Sequence, residues 1–111
     1  MSAQRVRLEV RMKIQIRPRG VTLTKTQCVR LERDLEMVLA RFGERIDRVI
    51  VAISDGQVEG SKSCEIEVRL KPQIVKVEIS DTDVFLAMEH AAQRVARSVS
   101  RTIEMEGLVG R

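Results

Sequence analysis

Three arginines, Arg94, Arg97 and Arg101, recur at steps of three and four residues, and His90 stands one step before them. On a helix this spacing places all four on one side. A guanidinium is planar and permanently charged, and it can bond two oxygens of one phosphate at once. A row of such groups on a rigid element is an anion-binding device. The same row also suits a helix whose outer face is simply solvated, and the stretch by itself leaves both readings open. No acidic residue interrupts the row; Glu89 and Glu104 flank it.

The element that must hold this row runs from Asp83 to Glu104, about six helical turns. Val84, Met88, Ala91, Ala92, Val95, Val99 and Ile103 form an apolar stripe at helical spacing on its other side. Such a helix can lie on a sheet with its arginines turned outward. A second group of arginines, Arg30, Arg33 and Arg41, falls on an earlier predicted helix and extends the patch if the two helices lie side by side. Arg17 and Arg19 sit in a turn and can frame one end, or simply solvate it.

Other chemistry has little support. His90 is the only imidazole, and no nucleophile or metal constellation surrounds it, so it reads as a helix residue rather than a catalytic base. No enzymatic activity, cofactor or metal is expected. The acidic pairs Glu65/Glu67 and Glu104/Glu106 read as solvated strand and tail residues. Cys28 and Cys64 both fall on apolar faces and read as free thiols in a reducing compartment.

Lysine and arginine number 20 against 16 aspartates and glutamates, a net charge of +4, which permits a polyanionic partner without requiring one. Trp and Tyr are absent and there are two Phe, so a single-strand binder built on aromatic platforms is excluded as the main device. The segment MSAQRVRLEVR lacks the apolar core of a signal peptide, and no run approaches membrane-spanning length. A cytoplasmic protein with no membrane partner is expected.

The 111 residues fit one domain: an extension of the first strand over 1–11, a core over 12–104 and a flexible tail over 105–111. Residues 5–16 alternate, with Val6, Leu8, Val10, Met12, Ile14 and Ile16 on one side, and predict a long strand with one wet face. Arg17-Pro18-Arg19-Gly20 breaks it. Thr24 is the expected cap of a helix carrying Cys28, Leu31, Leu35, Val38, Leu39 and Phe42 inward, which Gly43 stops. Three strands follow, over Ile46–Ser54, Ser63–Lys71 and Ile74–Ser80. Asp81, Thr82 or Asp83 caps the last helix.

The element order is therefore β-α-β-β-β-α, an α+β fold. A right-handed crossover makes the first two strands parallel, and short connections make the later neighbours antiparallel. The expected result is a four-stranded mixed sheet in the order 1-2-3-4 with both helices packed on one face. The opposite face carries charge of mixed sign, including Lys13, Glu65, Glu67, Arg69, Lys76 and Glu78.

With these elements in place, the chain from Met12 to Ile103 resembles the ribosome hibernation-promoting factors, also called sigma-54 modulation proteins, in their short form. MKIQIRPRGVTLT is similar to the family's first strand and its turn into the helix. LARFGERIDRVIVAIS is similar to the helix end, the charged turn and the second strand. ISDTDVFLAMEHAAQRVARSVSRTI matches the last strand and helix, with an acid, an apolar residue and an aromatic at Asp83, Val84 and Phe85, and basic residues at Arg94, Arg97 and Arg101. The pattern departs from the family where Cys28, Asp34 and Met37 stand at or near positions usually held by lysines, and where Phe85 replaces a usual tyrosine.

The resemblance implies a factor that binds the small ribosomal subunit, lies in the channel used by messenger and transfer RNA, contacts ribosomal RNA through basic residues, and silences translation in stress or stationary phase. The contacting residues are then expected among Arg94, Arg97, Arg101, Arg30, Arg33, Arg41, Arg17 and Arg19. The alternative is a self-associating protein-interaction module without ribosome binding. There the first strand would form a homodimer by pairing its edge with a second copy.

Overall fold

A computed structural model describes residues 12–109. The elements are β1 (Ile14–Arg19), α1 (Lys25–Leu39), a 3-10 turn (Ala40–Arg45), β2 (Arg48–Asp55), β3 (Lys62–Arg69), β4 (Ile74–Asp81) and α2 (Val84–Val109). The strands form one sheet in the order β1-β2-β3-β4. β1 pairs with β2 in parallel, and the other two pairings are antiparallel. The expected β-α-β-β-β-α architecture is the observed one.

Register follows from which side chains must be dry. Ile16 aligns with Val51, Val51 with Ile66, and Ile66 with Val77, so one face of the sheet is a continuous apolar layer. Val49, Val51, Ile53, Cys64, Ile66 and Val68 on this face are buried. Leu31, Leu35 and Leu39 of α1 and Met88, Ala91, Val95 and Val99 of α2 close the layer from above. Burying each Leu, Val or Met of this kind stabilises the fold by about 1.5–3 kcal/mol. Ala87, Ala91, Ala92 and Ala96 keep the buried side of α2 thin, so the helix lies close to β3, β4 and α1.

Both helices begin on explicit caps. Thr24 Oγ1 accepts from the Gln27 amide at 3.1 Å while Gln27 Oε1 accepts from the Thr24 amide at 2.8 Å, a reciprocal capping box. Of the three candidate caps for the last helix, Asp83 takes the role: its Oδ1 accepts from the Phe85 amide at 2.8 Å. Asp81 instead accepts from the Asp83 amide at 2.9 Å and fixes the entry.

Several boundaries differ from the sequence expectation. The extension over 1–11 lies outside the described residues, and β1 begins at Ile14. β1 also continues through Pro18 to Arg19 rather than breaking at Arg17. An edge strand permits this, because a proline without an N–H costs nothing on a side where no neighbour accepts. The first helix gives way to the 3-10 turn at Ala40, and Gly43 (φ 52°, ψ −124°) turns the chain in a conformation that side-chain-bearing residues avoid. The last helix runs to Val109 instead of ending at Glu104. Glu106, expected to be a solvated tail residue, is half-buried and ion-paired with Arg45 of the 3-10 turn, which anchors the added turns.

Candidate nucleic-acid interface

Helical periodicity and burial agree on the orientation of α2. Val95 and Val99 are fully buried, whereas Arg94, Arg97, Arg101 and His90 are exposed. The three arginines form a ridge on the side away from the sheet, spanning roughly 10 Å along the helix axis. Four ion pairs occur among the described residues, and they engage Arg45, Lys62, Arg69 and Lys76. None of the eight candidate arginines joins a carboxylate among the described residues. The ridge therefore carries charge that no carboxylate of the described residues neutralises.

α1 and α2 run side by side in the same direction. Arg30, early in α1, lies over the Phe85 ring at the start of α2, with Cζ 4.8 Å from the ring centroid. Further along, Asp34, Met37 and Val38 face Glu89, Ala92 and Gln93 across a shallow groove. Arg33 is exposed on α1, three residues beyond Arg30. Arg41 belongs to the 3-10 turn, past the end of α1, and stands 4.8 Å from the Phe42 ring. The second arginine group thus lies on α1 and the turn that follows it, beside α2. The groove between them holds the carboxylates of Asp34 and Glu89.

Arg17 and Arg19 lie elsewhere. In β1, Ile14 and Ile16 face the helices, so strand alternation turns Arg17 and Arg19 to the open face of the sheet. Arg17 there donates to Gln15 Oε1 at 3.2 Å. They do not frame the helical ridge. On the same face Arg69 donates to Glu67 at 2.7 Å, Ser63 donates to Glu78 at 2.6 Å, and Lys76 lies 3.6 Å from Glu65.

The remaining chemically active types are quiet. Cys28 and Cys64 are free thiols. Cys64 is buried, and burial pushes its thiol up to about 12. Among the described residues no cluster of histidine, cysteine and acidic side chains could hold a metal ion, and no helix is long and apolar enough to cross a membrane. What the sequence did not reveal is the contact of Phe85 with Arg30 and the pairing of Asp34 and Glu89 across one groove. A cross-helix contact leaves no periodic trace on either helix alone; only the departure at Asp34 and Met37 hinted at it.

A sheet of this order, with two parallel helices on one face, is a fold known from solved structures. The ribosomal subunit interface protein from Coxiella burnetii superposes with a TM-score of 0.74 at 14% identity, over 84% of this chain and 99% of that chain. The N-terminal domain of Thermus thermophilus Protein Y superposes with a TM-score of 0.70 at 25% identity, over 82% of this chain and 99% of that one. No family model matches the sequence, and no curated protein matches it closely. The resemblance to the hibernation-promoting factors is thus carried by the fold as well as by the sequence patterns.

Proposed function

We propose that this chain is a ribosome-associated RNA-binding factor that occupies the messenger and transfer RNA channel of the small subunit and silences translation in stress or stationary phase. The observation that carries this reading is the exposed ridge of Arg94, Arg97 and Arg101, unpaired among the described residues, on a fold shared with a ribosomal subunit interface protein. Structured RNA is recognised mainly through shape and phosphate oxygens. A rigid helix sets the three arginines in one line, and each planar fork can bond two phosphate oxygens, so less side-chain freedom is lost per hydrogen bond formed. Silencing then needs no catalysis: a bound domain excludes messenger and transfer RNA by occupying their space. Arg30, Arg33 and Arg41 add charge on the neighbouring helix and turn, while Arg17 and Arg19 form a separate contact on the other side of the sheet. A cytoplasmic location follows from this reading.

The test is reversal of the ridge. Arg94→Glu, Arg97→Glu and Arg101→Glu together should abolish co-sedimentation with purified small subunits while circular dichroism stays that of the parent. Three neutralised phosphates correspond to a slope of roughly −2 to −3 in log affinity against log salt. Arg101→Lys, which keeps the charge and loses the fork, should weaken binding less than Arg101→Glu. A folded triple variant that binds as tightly as the parent with the same slope would show that the ridge is not the RNA-contacting surface.

A further inference from the structure

The groove between α1 and α2 has a composition that a phosphate-binding surface does not need. Asp34 and Glu89 are half-buried and face it, and neither carboxylate has an ion-pair or hydrogen-bond partner among the described residues. Arg30 stands four residues before Asp34, the spacing of a helical ion pair, yet its guanidinium lies over the Phe85 ring. Met37 is 73% exposed and lies at the groove beside half-buried Val38, with the Gln93 amide opposite. The cleft is about 170 Å³, well below the roughly 300–1,000 Å³ of sites for drug-sized ligands. It therefore suits one small ring system. Two carboxylates repel a phosphate, so the part of an RNA that enters is a base and not its backbone.

We infer that this groove takes one unpaired guanine base, which makes Asp34 and Glu89 residues that determine specificity within an otherwise phosphate-bound RNA. The inference rests on the RNA-binding reading given above. Unpaired bases in RNA are held by stacking on aromatic rings or guanidinium planes and by hydrogen bonds along the Watson–Crick edge. Arg30 lines this groove with its Cζ 4.8 Å from the Phe85 ring centroid, so it offers a guanidinium plane on which a base can stack. Guanine presents two adjacent donors, N1–H and the N2 amino group, which match the two oxygens of one carboxylate. Adenine and cytosine offer an amino group beside a bare ring nitrogen, and that acceptor faces the carboxylate unfavourably. Uracil offers one N–H between two carbonyls. The surrounding arginines keep the flanking phosphates at the rim, while the acids select what enters between them.

The experiment uses the full chain and four fluorescent RNA hairpins that differ only in a single bulged nucleotide, G, A, C or U, read by anisotropy over a salt series. Sedimentation with purified small subunits is measured in parallel. The guanine bulge should bind about tenfold tighter than the other three, the size of one good bidentate contact. Asp34→Asn and Glu89→Gln keep side-chain size; in the double variant the four hairpins should bind equally, with an unchanged salt slope and an unchanged melting temperature. Equal binding of all four hairpins by the parent would overturn the guanine site and leave the phosphate reading standing if small subunits are still bound. A guanine preference that survives the double variant would place the discrimination elsewhere and overturn this site. Loss of binding to hairpins and subunits alike by the parent would remove both readings.

Discussion

Replacing Val95 by aspartate tests the placement of the arginine ridge through the core beneath it. Val95 is 0% exposed and belongs to the cluster formed with the sheet and α1. Val95→Asp removes a buried side chain worth about 1.5–3 kcal/mol. It also inserts a carboxyl group with no partner, which costs about 1–3 kcal/mol even when protonated. The sum, about 3–6 kcal/mol, is a large part of the roughly 5–15 kcal/mol that holds a domain of this size together. At about 4 °C per kcal/mol the melting temperature should fall by roughly 10–25 °C. Arg94→Ser changes the adjacent but exposed position and should cost no more than about 0.5 kcal/mol. Thermal melts followed by far-ultraviolet circular dichroism, with urea midpoints as a second measure, compare the two. Equal losses, or a Val95→Asp protein that melts with the parent, would mean that α2 is rotated from the orientation described, and the ridge would lose its geometric basis.

Two further outcomes are expected. The Cys64 thiol is raised from 9.0 to about 12 by burial, so between those values the folded state holds a proton that the unfolded state has released. Stability should be unaffected by this group below pH 9 and fall as pH rises toward 12, by up to ~4 kcal/mol at about 1.4 kcal/mol per pH unit. Denaturant midpoints of the parent and of Cys64→Ala across pH 8–11 check this; equal alkaline losses in both would refute it. The self-association reading makes the second prediction: β1 is an edge strand, and if residues 1–11 extend that edge into a dimer, light scattering of the full chain should give twice the monomer mass. A monomeric full chain, or a deletion of 1–11 that leaves the dimer mass unchanged, would refute it.

Several features were legible in the residues alone because they rest on periodicity and composition. Alternation at Ser63–Leu70 and Val75–Ile79, the three-and-four spacing of Val84 to Ile103 and the turn residues between them dictate β-α-β-β-β-α, and the rules for crossovers and short connections leave one simple sheet order. The outward direction of Arg94, Arg97 and Arg101 follows from the same spacing that sends Val95 and Val99 inward. Other features needed the folded chain. The extension of the last helix to Val109 depends on Arg45, sixty-one residues from its partner Glu106, and no local pattern announces so distant an ion pair. Pro18 remains in β1 because β1 is an edge, a property of the whole sheet. The segregation of Arg17 and Arg19 from the other arginines arises because β1 turns its alternate side chains to the open face of the sheet, and the meeting of Arg30, Asp34 and Glu89 at one groove arises where two helices pack side by side. A sequence determines which side of each element is wet, whereas only the tertiary structure decides which wet sides become neighbours.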